Sequence, residues 1–224
     1  MVRKTGASER ALRRKLDILR GAAAVFRDRG FDGAGMREIA DAIGMAPAAL
    51  YYYFRSKEDL LYFCQDFSLD RMIAEARAIE RERLPAGRKL SAVIAAQLRC
   101  MLDELHGSSA HLEFHSIPRP KLARIIAKRD AYESCLRRIV AAGVRSGDFR
   151  KVDVKLVSLA LLGAINWTIK WFRPGGPRGA EAIAQVFADV LIHGLEAAAP
   201  PKAGRAAATR RTRPTKSKRK TEAQ

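Results

Sequence analysis

Two histidines, His111 and His115, stand four residues apart with Glu113 between them. On a helix their imidazoles would share a face, as metal-ligating pairs do. A third ligand is not evident and H-E-x-x-H is absent, so the pair suits a pocket wall or a helix cap better than a metal centre. Cys64, Cys100 and Cys135 are scattered and odd in number, which fits neither a zinc spacing nor a disulfide framework. No G-x-S-x-G, Walker or G-x-G-x-x-G stretch occurs. The sequence therefore assigns no catalytic residue, no metal and no cofactor, and enzyme activity is not expected. A different chemistry is better served, the recognition of a polyanion. Tyr51, Tyr52 and Tyr53 run consecutively, with Arg37 before them and Lys57 after, in a chain of net charge +18.

That charge is uneven. Residues 202–224 hold nine Lys or Arg against one Glu, and the first fifteen residues hold six basic groups against Glu9. The middle is only mildly basic. Such a balance favours nucleic acid or an anionic surface as partner. No apolar run approaches the roughly 18 residues of a membrane span, and the basic N-terminus lacks the apolar core of a signal peptide. The expectation is no membrane and a reducing cytoplasm. With 224 residues, 48% of them hydrophobic, the chain can bury the cores of two small domains.

The elements that must position these residues are helices. Arg37 to Ile43 spaces Ile39, Ala40 and Ile43 at helical intervals. Gly44 follows at a position suited to positive φ, and Pro47 occupies the first turn of a helix running to about Phe54. Helix, glycine-containing turn and helix is the helix-turn-helix plan, whose second helix enters the DNA major groove. A preceding helix from about Glu9 to Arg29 carries one apolar stripe through Leu12, Leu16, Leu19, Ala23 and Phe26, and Gly30 ends it. Glu38, three residues after Gly35, can serve as half of a capping box. Ser56 caps a fourth helix running to near Arg83. Further helices are expected at residues 88–107, briefly at His111 to Pro118, at Lys121 to Ser146, at Val152 to Phe172 and at Gly179 to Ala198. The last carries Ile183, Val186, Phe187, Val190, Leu191 and Leu195 on one face, which suits either its own core or a dimer bundle. The fold class read here is all-α. A disordered basic arm (1–8) precedes an N-terminal helix-turn-helix domain of three helices (9–56). A C-terminal helical ligand-binding and dimerisation domain (57–199) and a disordered basic tail (200–224) follow. Leu50 and Phe54 take the inner side of the second helix, so at least Tyr52 and Tyr53 should be exposed.

The run from Leu16 to about Gln65 resembles the DNA-binding domain of the TetR family of transcriptional regulators. Ala23, Phe26, Gly30, Phe31, Met36, Arg37, Ile39, Ala40, Gly44 and the closing L-Y-x-Y-F-x-S-K-E-x-L from Leu50 to Leu60 carry the likeness. The resemblance implies that Tyr51 and Lys57 grip phosphates and that Arg37 lies close to the DNA. It places Ala48, Tyr52 and Tyr53 facing bases, with Pro47 beside them. The family's usual hydroxyl residues are missing near Ala34 and Gly35, at the cap of the second helix and at Ala49, so some phosphate contacts are absent. In the family the last two helices form a homodimer, which selects the dimer option for the final stripe.

The body from His111 to Gly176 is similar to one branch of that family. The marks are L-x-F-H at Leu112 to His115, R-D-x-Y-E at Arg129 to Glu133, and G-A-x-N-W-T-x-x-W-F-R-P-G-G from Gly163. That likeness implies regulation of fatty-acid, sterol or aromatic-acid breakdown by acyl-coenzyme A thioesters. Phe114, Ile126, Trp167 and Trp171 would supply an apolar cavity, His115 and Tyr132 belong to the motifs, and Asn166 with Lys170 would form a polar wall. Arg119, Lys121, Arg124, Lys128, Arg129 and Arg173 would meet the anionic head. The function expected is a ligand-responsive repressor released from a palindromic operator on double-stranded DNA. The alternative is a sequence-tolerant, nucleoid-like DNA binder driven by the basic tail.

Overall fold

The computed structural model describes residues 3–104, 113 and 115–197, and among them eight α-helices carry the fold. They are α1 (Arg3–Gly33), α2 (Met36–Ala42), α3 (Pro47–Tyr53), α4 (Lys57–Arg81), α5 (Ala86–Leu98), α6 (Arg119–Ser146), α7 (Val154–Trp171) and α8 (Ala180–His193). A π-helical turn, Arg99–Glu104, continues α5. Expected tail residues 200–224 lie outside the described residues, as do His111 and Phe114.

α1 starts at Arg3, so residues 3–8, expected as a disordered arm, continue the helix. Adding turns to an existing helix needs no new nucleus, so the chain extends even through Thr5 and Gly6. The helix kinks at Gly30, whose φ is 72°. Gly21 lets α2 approach, because a Cβ there would stand 1.9 Å from the Ile43 side chain. The Glu38 carboxylate accepts from the Gly35 N–H at 2.8 Å, capping α2. Gly44, with φ 62°, turns the chain toward α3, where Ala46 offers no side-chain cap and Pro47 fills the first turn. Ser56 Oγ accepts from the Asp59 N–H at 3.2 Å and opens α4.

Two apolar cores result. The head core joins Phe26, Ile39, Leu50 and Phe54 with Leu60, Leu61, Cys64 and Leu69 of α4. Ile117, just before α6, and Ile125 of α6 complete it. The body core joins Met72, Ile73, Ala76 and Ile79, farther along α4, with α5 to α8. The division between the cores thus falls within α4, beyond the border expected at residues 56 and 57, and α4 buries side chains in both. At 25 residues, α4 is about 37 Å long, enough to reach from one to the other.

The helix expected at His111 to Pro118 is not formed where the residues are described. His115 and Ser116 form a turn, and α6 begins at Arg119 with Pro120 in its first turn. α8 ends at His193, five residues before its expected end, because the chain doubles back after it. The Arg150 N–H donates to Leu195 O at 2.9 Å, and the Ala197 N–H donates to Asp148 O at 3.1 Å. Among the described residues, no helix is long and apolar enough to cross a membrane.

Candidate nucleic-acid interface and effector cavity

α3 seats itself by Leu50, which is fully buried. Tyr52 lies nearly opposite and is 84% exposed, while Tyr51 is 50% exposed. Tyr53 packs half-buried against the head core and meets the Tyr52 ring edge-on at 5.2 Å. The expectation that Tyr52 and Tyr53 would be the exposed pair is corrected at Tyr53. It sits three residues after Leu50 and so shares its inward side. Ala48 and Ala49 are exposed, Pro47 is half-buried, and Arg37 is exposed near the start of α2.

Lys57 is held differently. Its ammonium donates to Phe31 O at 3.1 Å, Asp32 O at 3.3 Å and Ala34 O at 3.4 Å, and it lies 4.6 Å from the Phe31 ring centre. Three donors meet three carbonyls at the end of α1, so the side chain ties α1 to α4. A phosphate at Lys57 would have to displace one of these bonds.

The residues named for a ligand pocket fall into three groups. Arg129, Tyr132 and Asn166 line a cavity of about 310 Å³ between α4, α5, α6 and α7. There the Tyr132 hydroxyl donates to Gln97 Oε1 at 3.0 Å, and Gln97 Nε2 donates to Asn166 Oδ1 at 3.1 Å. Leu69, Met72 and Leu162 supply apolar wall. Burial brings the Arg129 guanidinium down to about 10 and pushes the Tyr132 phenol well above its ordinary value. Arg129 also donates to Gln65 Oε1 at 3.5 Å, and Gln65 Nε2 donates to the Glu113 carbonyl. Gln97 and Gln65 were missed by sequence reasoning. Each is a lone glutamine in an apolar helical stripe, and only burial at 1% and 0% exposure marks them.

The second group faces outward. Trp167 is 63% exposed and Trp171 45%, and neither lines this cavity. They share a stripe along α7 with Leu156, also exposed. Val186 and Val190 of α8 are exposed too, and Trp171 lies 6.5 Å from the Phe187 ring. The stripe expected as a dimer face is divided by burial. Ile183 and Leu195 are buried in the chain's own core, whereas Phe187 and Leu191 are half-buried. The reason is that α8 has two apolar sides, and Ile183, Ala184, Ala188 and Ile192 form the inner one. Ile126, His115 and Lys170 are also exposed and stand away from the cavity lining. The third group is paired. Lys121 bridges Asp59, Arg124 lies 3.2 Å from Asp66, and Lys128 lies 2.5 Å from Asp66 and 2.7 Å from Asp70. These cations join α6 to α4 and are not gathered at the cavity.

Two larger concavities, of about 600 and 590 Å³, are open clefts elsewhere on the body. Their charged linings include the Arg138–Glu80 pair and the exposed His193. The smaller cavity is the better candidate because its polar groups converge on buried space among apolar walls.

A family profile described as "Bacterial regulatory proteins, tetR family" matches residues 18–62. A second, "Tetracyclin repressor-like, C-terminal domain", matches residues 83–195. The chain belongs to the TetR family. The first match covers α2 and α3 with the start of α4, and the second covers α5 to α8. This TetR-family chain is 34% identical to the regulator PfmR from Thermus thermophilus, whose crystal structure superposes with a TM-score of 0.72. That match covers 80% of this chain and 99% of PfmR. It is 26% identical over 186 residues to the transcriptional repressor KstR2 of Rhodococcus jostii, covering 81% of this chain and 91% of that protein. It is 27% identical to AibR, solved in complex with isovaleryl coenzyme A and operator DNA. There the TM-score is 0.66, over 80% of this chain and 98% of AibR.

Proposed function

We propose that this chain is a homodimeric, cytoplasmic transcription repressor that leaves its operator when an acyl-coenzyme A occupies the body, and that it is not an enzyme. The observation that carries the reading is the position of the cavity on the two shared helices. Leu69 lines the cavity and also belongs to the head core, and Arg129 of α6 reaches Gln65 of α4. A ligand that moves α6 against α4 moves the head with it. An effector shifts that balance only by its differential affinity for the two states, typically ~1–3 kcal/mol of coupling. KstR2 and AibR, one named a repressor and the other solved with both ligand classes, support the assignment.

Arg37, Pro47, Ala48, Tyr51 and Tyr52 form the DNA-facing set, with Tyr53 bracing Tyr52 and Lys57 supporting it from behind. The effector set is Arg129, Tyr132 and Asn166, joined by Gln97. The exposed strip of α7 and α8 pairs with its copy across a twofold axis, setting two heads about 34–36 Å apart on a palindrome. The test is operator binding by the purified chain against a panel of acyl thioesters. Release by one thioester and not by free coenzyme A supports the reading, and indifference to all of them removes the effector assignment. Trp167→Asp places a charge in the strip and should give a chain of monomer mass in sedimentation. A dimer of unchanged strength would move the interface elsewhere.

A further inference from the structure

α3 reads PAALYYY, and the side chains standing clear of the head are Ala48, Ala49, Tyr51 and Tyr52. Ala48 and Tyr52 lie one turn apart on the line opposite the buried Leu50. The side chains that read guanine, adenine or cytosine by direct hydrogen-bond pairing are Arg, Lys, Asn, Gln, Asp, Glu, Ser and Thr. None of them occurs on this helix. What α3 offers is methyl groups, ring edges and phenol hydroxyls. In the major groove an alanine methyl has one distinctive partner, the C5-methyl of thymine. A phenol hydroxyl both donates and accepts, so it separates bases weakly.

The Tyr52 ring points the same way. It is 84% exposed yet braced edge-on by Tyr53, an apolar surface held out for a partner. The nearby cations sit off the helix, with Arg37 on α2 and Arg55 after α3, both exposed. Phosphate contacts and base reading are thereby divided between different side chains.

We propose that α3 reads its operator through thymine methyl groups, one beneath Ala48 and another against the Tyr52 ring. This rests on the DNA-regulator reading above and names what that surface recognises. The half-site should therefore carry T·A pairs within the three or four base pairs that α3 covers.

The test begins with selection of bound duplexes from a random pool by the full chain at physiological salt. Each thymine of the selected half-site is then replaced singly by deoxyuridine, which removes only the methyl. Binding should weaken about fourfold at one or two positions, the factor for one buried CH₂-sized group. At those positions 5-methylcytosine should bind better than cytosine. Ala48→Gly should erase the thymine–uracil difference at one of them, with helicity checked by circular dichroism. If that variant unfolds, Ala48→Ser, which keeps Cβ and sets a hydroxyl beneath the methyl, should reduce the same difference. Selective binding that is indifferent to uracil at every position overturns the methyl readout and leaves the regulator standing. A pool from which no sequence is enriched sinks the regulator reading, and this proposal with it.

Discussion

The proposed reading surface and the proposed effector cavity are built in opposite ways. α3 presents its surface from seven consecutive residues, so the exposed set follows from one buried anchor, Leu50, and 100° per residue. The cavity takes Leu69, Gln97, Arg129 and Asn166 from four helices, and no two of them are closer than 28 residues in sequence. A surface of the first kind can change in composition while its seat stays fixed. A cavity of the second kind depends on packing between all four helices, so a change in one wall is felt by the others. The helices common to the two regions, α4 and α6, are where a change in one can reach the other.

This contrast can be broken or sharpened by substitution. Leu50→Ala removes the anchor of α3 and should cost about 2–5 kcal/mol of head stability. Operator binding should vanish while thioester binding, followed by calorimetry, persists. Loss of both would show that the two regions are not separable. Arg129→Met should leave operator binding intact and raise the thioester concentration needed for release by about 10–100-fold, the range for a charged hydrogen bond. An unchanged release curve would take Arg129 out of the effector site.

Gln97→Leu leaves the Tyr132 hydroxyl and the Asn166 amide short of a partner, at a cost of about 1–3 kcal/mol in denaturant unfolding. It should blunt the thioester response and spare operator selectivity. Lys57→Met should have the smallest effect. It removes the tie to the end of α1, costing about 1 kcal/mol of stability. Because those donors are occupied within the head, the salt dependence of operator binding should hardly change. A slope reduced by about one would instead count Lys57 among the phosphate contacts.

The helices were legible in the sequence where a local device marked them. Gly44 and Pro47 bounded the helix-turn-helix, Ser56 opened α4, and Gly147 closed α6 in the left-handed conformation. Legibility failed where the deciding contact was distant. The end of α8 depends on residues 148–150 pairing with 195–197, and nothing within the helix announces it. Lys121, Arg124 and Lys128 read as an anion site because their carboxylate partners lie some sixty residues earlier, on α4. The tryptophans read as pocket lining because an aromatic residue on a helix looks the same whether it faces a cavity or the surface.

By itself, then, the sequence determined the all-α class, the order of the eight α-helices among the described residues and the bounds of the helix-turn-helix. Each of these rests on periodicity, caps and breakers within a few residues of one another. Tertiary structure alone decided that Lys57 is spent on carbonyls and that Gln97 and Arg129 share one buried space. Those outcomes depend on which helix lies across from which, and a one-dimensional pattern holds no record of what stands opposite a side chain.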